Sequence, residues 1–232
     1  MSKPTVRILS VWVAGLAFLG FACRQKVSQE KTPPVFAEVF VRFLSPENEY
    51  KAQIMFFEGD SVGNARPKKL ASGVRFQGQS MREKALGSYA FRYERIQPGP
   101  YTGRHVFDFQ DDAGKKRNVV LSMSGIKQFR METPLKLNTG GKLFIERQAL
   151  QPGETLLLLF TDEQGNTFSV ELEEGFSGDQ VELTSRQIGG LHPGGYELYL
   201  VKKQELKTTR QNRTVFSSME YYSPIQEVVV EP

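Results

Sequence analysis

Cysteine is almost missing from this chain: Cys23 is the only one among 232 residues. No disulfide can form within one molecule, so the fold must stand on buried apolar surface alone. Soft metal sites need thiolates or several imidazoles, and His105 and His192 are the only histidines. A bound metal or other cofactor is therefore not expected. Tryptophan is as scarce: Trp12 stands alone, inside an apolar N-terminal run. Flat platforms that stack sugars often use tryptophan, so its lack in the rest of the chain weighs against carbohydrate binding and leaves that role to Tyr and Phe. Three catalytic signatures are also missing: the Gly-x-Ser-x-Gly elbow, the His-Glu-x-x-His helix and the Gly-x-x-x-x-Gly-Lys phosphate loop.

A large charge imbalance is missing too. The 30 basic residues against 26 acidic ones give +4, and Lys3 and Arg7 of that excess lie before the apolar run. This balance supplies no electrostatic case for nucleic-acid binding. The distribution is less even. Residues 23–127 hold 18 Lys/Arg against 11 Asp/Glu, and residues 128–232 hold 10 against 15. The basic first half suits attraction to anionic headgroups or cell-wall polymers, and equally suits ordinary solvated strand faces.

The N-terminus has three parts. Lys3 and Arg7 are its only charges, Ile8 to Ala22 is apolar apart from Ser10, Gly15 and Gly20, and Cys23-Arg24-Gln25-Lys26 ends the run. Fifteen helical residues reach about 22 Å, short of a roughly 30 Å hydrocarbon core, which reads as an export signal rather than a permanent span. Ala22-Cys23 resembles the lipobox of bacterial lipoproteins, in which the cysteine is acylated and becomes the mature N-terminus. Gly20 departs from that pattern, since leucine is usual there and the nearest is Leu19. Gly20-Phe21-Ala22 also fits ordinary small-x-small cleavage. The resemblance implies a signal peptide over 1–22, a membrane anchor through acylated Cys23, and a polar tether over 23–34 that ends in Pro33-Pro34. Arg24 lacks the aspartate of an inner-membrane retention signal. Gln25-Lys26 lacks the acidic run of a surface-export signal. The expected location is the bacterial cell envelope, at an outer membrane facing the periplasm.

The body of the chain repeats a short pattern. Ile96-Gln97-Pro98-Gly99-Pro100-Tyr101 recurs 95 residues later as Leu191-His192-Pro193-Gly194-Gly195-Tyr196. In this reading an aliphatic residue ends one strand, Pro-Gly turns the chain, and a tyrosine enters the next strand with its ring inward. The pattern resembles the tyrosine corner of immunoglobulin-like and fibronectin type III-like sandwiches, with Tyr101 and Tyr196 as the corner residues. Leu150-Gln151-Pro152-Gly153 shares the first positions without the tyrosine and reads as a plain turn.

Alternation supports strands throughout. Ala37, Val39, Val41 and Phe43 share a face, and Gln53 to Phe57, Val74 to Phe76, Tyr89-Phe91-Tyr93, Phe107-Phe109 and Asn118 to Met123 follow. The second half offers Lys142 to Glu146, Thr155 to Thr161, Phe168-Val170-Leu172, Val181-Leu183, Val215 to Tyr222 and Gln226 to Val230, with Pro224 marking a bend or strand switch. No stretch has a long helical period. The expected fold is all-β: two tandem immunoglobulin-like antiparallel sandwiches over 35–127 and 128–232, meeting near 124–133, after an N-terminal signal helix.

Chemistry-bearing residues have structural readings. His105 shares parity with Tyr101 and Phe107 and is expected inward as a satisfied core or rim residue. His192 is expected exposed on its turn. Asp111-Asp112 and Asp162-Glu163 sit where hairpin turns want acidic residues, without the alternating ligands of a calcium loop. Glu171, Glu173 and Glu174 suit a solvated face better than a pair of glycosidic carboxylates. Tyr221 and Tyr222, with Lys202, Lys203, Lys207, Arg210 and Arg213, are read as a long protruding last hairpin and the expected contact surface. The leading functional reading is a non-enzymatic, lipid-anchored protein whose two domains engage another envelope protein. The alternative is a glycan-capturing lipoprotein, and an envelope hydrolase ranks third. A capture protein should show a cleft lined by Tyr or Phe, whereas a scaffold should show convex faces.

Overall fold

A computed structural model describes residues 35–87, 90–126, 128–132, 134–145, 150–151, 153–172, 179–210 and 212–232. The expected signal helix, Cys23 and the tether lie outside these residues, as do Tyr89, Pro152, Glu173 and Glu174.

The first half contains β1 (Val35–Leu44), β2 (Glu49–Glu58), β3 (Arg66–Pro67), β4 (Val74–Phe76), β5 (Gln79–Ser80), β6 (Arg82–Leu86), β7 (Ala90–Pro98), β8 (Arg104–Gln110) and β9 (Lys116–Ser122). One sheet runs β1-β2-β7-β6 and a second runs β5-β4-β8-β9. Their inner faces meet through rings, with Phe56 and Phe109 centred 4.8 Å apart and Tyr50 and Phe76 6.0 Å apart. The second half contains β10 (Phe129–Met131), β11 (Leu135–Lys136), β12 (Gly141–Ile145), β13 (Glu154–Asp162), β14 (Thr167–Leu172), β15 (Gln180–Leu183), the short helix α1 (Ser185–Ile188), β16 (Gly194–Arg210), β17 (Arg213–Tyr222) and β18 (Gln226–Glu231). Here β10-β12-β15 form one sheet, and β14-β13-β16-β18 lie side by side in the other.

The all-β expectation holds, and the two halves repeat one strand order. β1-β2-β7 has its counterpart in β10-β12-β15, and β5-β4-β8-β9 in β14-β13-β16-β18. At each Pro-Gly pattern the chain leaves the first sheet of its half and enters the second, from β7 to β8 and from β15 to β16. Gly99 and Gly194 take φ of 147° and 152°, a region that favours glycine, so the same local geometry recurs at both turns.

β17 has no counterpart in the first half. β16 extends to 17 residues, and after the turn at Asn212 the chain returns as β17, which pairs antiparallel with β16 from Val201↔Tyr222 to Arg210↔Arg213. The other edge of β17 pairs parallel with β1 over ten residues, Val35↔Arg213 through Leu44↔Tyr222. The chain then bends at Ser223-Pro224, where Ser223 and Leu200 exchange bonds, and rejoins β16 as β18. One eleven-stranded sheet therefore runs through both halves. The division expected near 124–133 is not a break in packing: Thr32–Pro232 form one compact unit. The expected protruding hairpin is likewise seated along the first half. The physical reason is β1, an apolar ten-residue edge strand whose open backbone groups β17 satisfies. The far edge of the sheet, β6, is guarded instead by exposed Arg82, Glu83 and Lys84.

The core follows the alternation. Ala37, Val39, Val41 and Phe43 of β1 are buried, with Ile54 and Phe56 of β2, Phe107 of β8, Leu156, Leu158 and Phe160 of β13, and Leu198 and Leu200 of β16. Each fully buried side chain of this size contributes roughly 1.5–3 kcal/mol. Met219 and Tyr221 of β17 are also buried and join this core.

His105 is fully buried, as its parity predicts, but neither ring nitrogen finds a hydrogen-bond partner among the described residues. The expected satisfied histidine is instead held by rings: Tyr50 at 5.3 Å, Tyr101 at 5.4 Å and Phe76 at 6.2 Å. Burial disfavours the charged imidazolium and pulls its pKa down to about 4. The unfolded chain binds this proton near pH 6.5 and the folded chain only near 4. The resulting stability, about 3 kcal/mol, is fully present above pH 6.5 and is lost as pH falls toward 4. Denaturant melts between pH 7.5 and 4 should show that slope, and His105→Leu should flatten it. Parallel slopes for both proteins would disprove the assignment.

Candidate functional site

The outer face of the joined sheet is floored by side chains of the parity opposite to the core. Phe40 of β1 lies across from Ser218 of β17 and Gln53 of β2. Glu38 lies across from Phe216 and Met55, and Phe216 in turn faces Lys207 of β16. Together these strands form a trough of about 530 Å³. Phe40, Phe216 and Met55 are half-buried apolar floor residues, and Glu38, Glu205 and Lys207 are exposed at the rim. The Lys207 ammonium sits 5.3 Å from the centre of the Phe216 ring, which fixes that ring from one side. Among the described residues, no hydrogen bond or ion pair occupies the side chains of Glu38, Gln53, Glu205 or Ser218. The trough therefore offers aromatic faces beside carboxylate, amide and hydroxyl groups not already in use.

A second depression, about 670 Å³, lies beside β10, β12 and β18. Arg130 stacks on Phe144 there at 4.3 Å. Its central amide is spent on structure: Gln226 accepts from the Met131 N–H at 2.9 Å and donates to the Met131 carbonyl at 3.2 Å.

The residues expected to form a contact surface separate into three groups. Lys202 and Tyr221 are inside. Lys202 Nζ lies 2.8 Å from Glu154 Oε2, with both side chains buried, and donates to Ser124 Oγ at 2.9 Å. Tyr221 donates to the Ile126 carbonyl at 2.9 Å and stacks with Phe43 at 5.5 Å. Lys203 and Tyr222 are half-buried. The Arg42 guanidinium lies 5.2 Å from the Tyr222 ring, and burial raises the Tyr222 pKa, with the Glu220 charge adding to the rise. Lys207 and Arg210 are exposed, and Arg213 is half-buried over Phe109 at 5.7 Å. Hence Lys202 and Tyr221 are corrected from contact groups to core groups. Both share strand parity with inward neighbours, Leu200 and Met219, and that parity outweighs the usual exposure of lysine.

The two corner tyrosines also differ. Tyr196 bonds back to its own turn, accepting from the His192 N–H at 3.0 Å and donating to the His192 carbonyl at 3.1 Å. Tyr101 donates instead to the Met123 carbonyl at 2.7 Å. The bracing of the first turn falls to Tyr50, whose hydroxyl accepts from Thr102 N–H at 2.8 Å and donates to the Pro100 carbonyl at 3.0 Å. Burial drives the Tyr101 pKa upward, with neighbouring Tyr50, Tyr221 and Glu154 acting in the same direction.

Other expected chemical groups occupy structural places. Asp162 accepts from the backbone of Gln164 and Asn166, and Asp111 from that of Lys115, so both act as turn residues. His192 and Glu171 are exposed. Among the described residues, no group of three or more His, Cys, Asp or Glu could hold a metal ion, and no helix is long and apolar enough to cross a membrane. The trough floor was not picked out from the sequence. Its signal is Phe40 and Phe216 standing at outward parity among Glu38, Arg42, Ser218 and Glu220.

No protein-family model matches the chain, and no curated protein does. Among solved structures, the chain is similar to the Bacteroides ovatus mixed-linkage glucan utilization locus SGBP-B, solved with a mixed-linkage heptasaccharide. The match has 13% identity and a TM-score of 0.24, over 79% of this chain and 53% of that one. The chain thus spans about half the length of that structure.

Proposed function

We propose that this protein is a non-enzymatic, lipid-anchored envelope protein that captures a glycan in the trough formed by β16, β17, β1 and β2. The observation that carries this reading is the floor of Phe40 and Phe216 beside polar side chains with no other partner. A sugar ring presents C–H faces to an aromatic ring and hydroxyls to carboxylates and amides, so this mixture suits a neutral oligosaccharide better than an apolar ligand. The open groove, rather than an enclosed cavity, suits an extended chain.

Protein scaffolding is the second reading. It is favoured by β17, which fastens both sandwiches into one unit able to present loops at a fixed spacing.

Calorimetric titration with a panel of neutral oligosaccharides tests the first reading. One member should bind, and Phe216→Ala and Phe40→Ala should each weaken it about tenfold, since a stacked aromatic face is worth roughly 0.5–1.5 kcal/mol beyond its buried area. A panel with no binder, together with a stoichiometric protein partner in detergent extracts, would sink glycan capture in favour of scaffolding.

A further inference from the structure

The end of the fold where the chain enters at Val35 gathers three turns. Val35 pairs with Arg213 of β17 and with Glu58 of β2, and its N–H donates to the Asn212 carbonyl. The β16–β17 turn and the turn after β2 therefore lie beside the entry point. The β8–β9 turn joins them, because Lys68 bridges Glu58 and Asp112 and Arg213 lies over Phe109.

The charges at this end do not balance. Of its carboxylates, Glu58 and Asp112 are taken by Lys68 and Asp111 by Arg117, which leaves Asp60. Arg66, Lys115, Lys116 and Arg210 are all exposed, and none has an ion-pair partner among the described residues. Four cations without ion-pair partners among the described residues thus lie on or beside three turns near Val35, the first described residue. Three of the four, Arg66, Lys115 and Lys116, come from the basic first half, and Arg210 comes from the second.

We infer that this basic end docks on an anionic lipid surface and sets the orientation of the anchored protein. This rests on the lipid-anchor reading for its cellular meaning, while the surface itself works without the anchor. Exposed Lys and Arg within a Debye length of anionic headgroups attract additively, and salt screens them. An acyl chain restrains distance only. Contact through three turns restrains tilt as well, holding the trough on the sheet face at a constant attitude to the membrane.

The test uses the compact unit Thr32–Pro232, without lipid, in co-sedimentation with vesicles. It should sediment with phosphatidylcholine vesicles containing phosphatidylglycerol and not with pure phosphatidylcholine, and added salt should release it. The triple variant Lys115→Gln, Lys116→Gln, Arg210→Gln should lose more than about tenfold in partitioning. A control removing three exposed charges elsewhere, Lys136→Gln, Lys142→Gln, Arg186→Gln, should bind as the parent does. Equal sedimentation with both vesicle types, or equal losses in both triple variants, overturns the proposal. Unchanged thermal melts exclude misfolding as the cause. Mass spectrometry of Cys23 from cells addresses the anchor separately, so the failure of one reading leaves the other visible.

Discussion

Lys202→Met will lower the unfolding free energy by about 3–5 kcal/mol, although it replaces a lysine with a residue of similar length and greater hydrophobicity. The loss comes from Glu154. In the native protein its carboxylate faces the Lys202 ammonium at 2.8 Å and accepts from the Gln151 N–H at 2.8 Å, with Gln204 at 3.4 Å. Without the ammonium, a charge that is almost fully buried keeps only neutral donors. The double variant Lys202→Met, Glu154→Leu removes both charges and should recover most of the loss, because two well-packed apolar side chains replace a buried pair at little cost. Urea melts of the parent, both single variants and the double variant would show this as a large coupling energy. A single variant within 1 kcal/mol of the parent would mean that water reaches the pair. Ser124 Oγ also receives a bond from Lys202, so the pair joins the irregular segment following β9 to β13 and β16 of the second half.

The second large effect is expected at Tyr221→Ala, at about 3–5 kcal/mol. Its ring lies 5.5 Å from Phe43 and 4.7 Å from Tyr101. Gly125 is packed against both tyrosines: a Cβ there would lie 2.7 Å from Tyr221 and 2.8 Å from Tyr101. Truncation therefore opens a cavity at the point where β17 contributes to the first core. The loosened hairpin should become cleavable between residues 205 and 218 in limited proteolysis. Tyr221→Phe keeps the ring and loses only the bond to the Ile126 carbonyl, about 1 kcal/mol. Tyr222→Ala, half-buried on the outer face, should cost far less than Tyr221→Ala. Equal losses at the two positions would show that β17 is not packed through this face.

Much of this architecture is legible in the sequence. Period-two alternation marks β1, β8, β13 and β17 because one face of each meets a core. Pro-Gly at 98–99 and 193–194 marks both sheet crossings, since positive φ at the second residue calls for glycine. The parallel pairing of β1 with β17 is not legible in this way. Strand pairing between residues 35–44 and 213–222 is decided by which edges remain open once the local hairpins have formed, and no local pattern records that. The same limit misassigned Lys202. A lysine on a hairpin suggests solvent, yet the position sits at core parity and finds a carboxylate delivered by a distant strand. Tyr101 carries the corner pattern, but the bracing hydroxyl comes from Tyr50, which lies 50 residues before the Pro100 carbonyl it bonds and bears no mark of that role.

The union of β1 with β17 has a consequence for synthesis. A chain made from its N-terminus presents residues 35–44 long before their parallel partners, residues 213–222. During that interval an apolar strand waits with one side unclosed, in the condition that invites pairing with other chains. Completion is thus tied to residues 213–222, and fragments ending before 213 are expected not to mature whatever the quality of their N-terminal half. Such a molecule profits from a holding chaperone until its last hairpin arrives, and folds late rather than segment by segment.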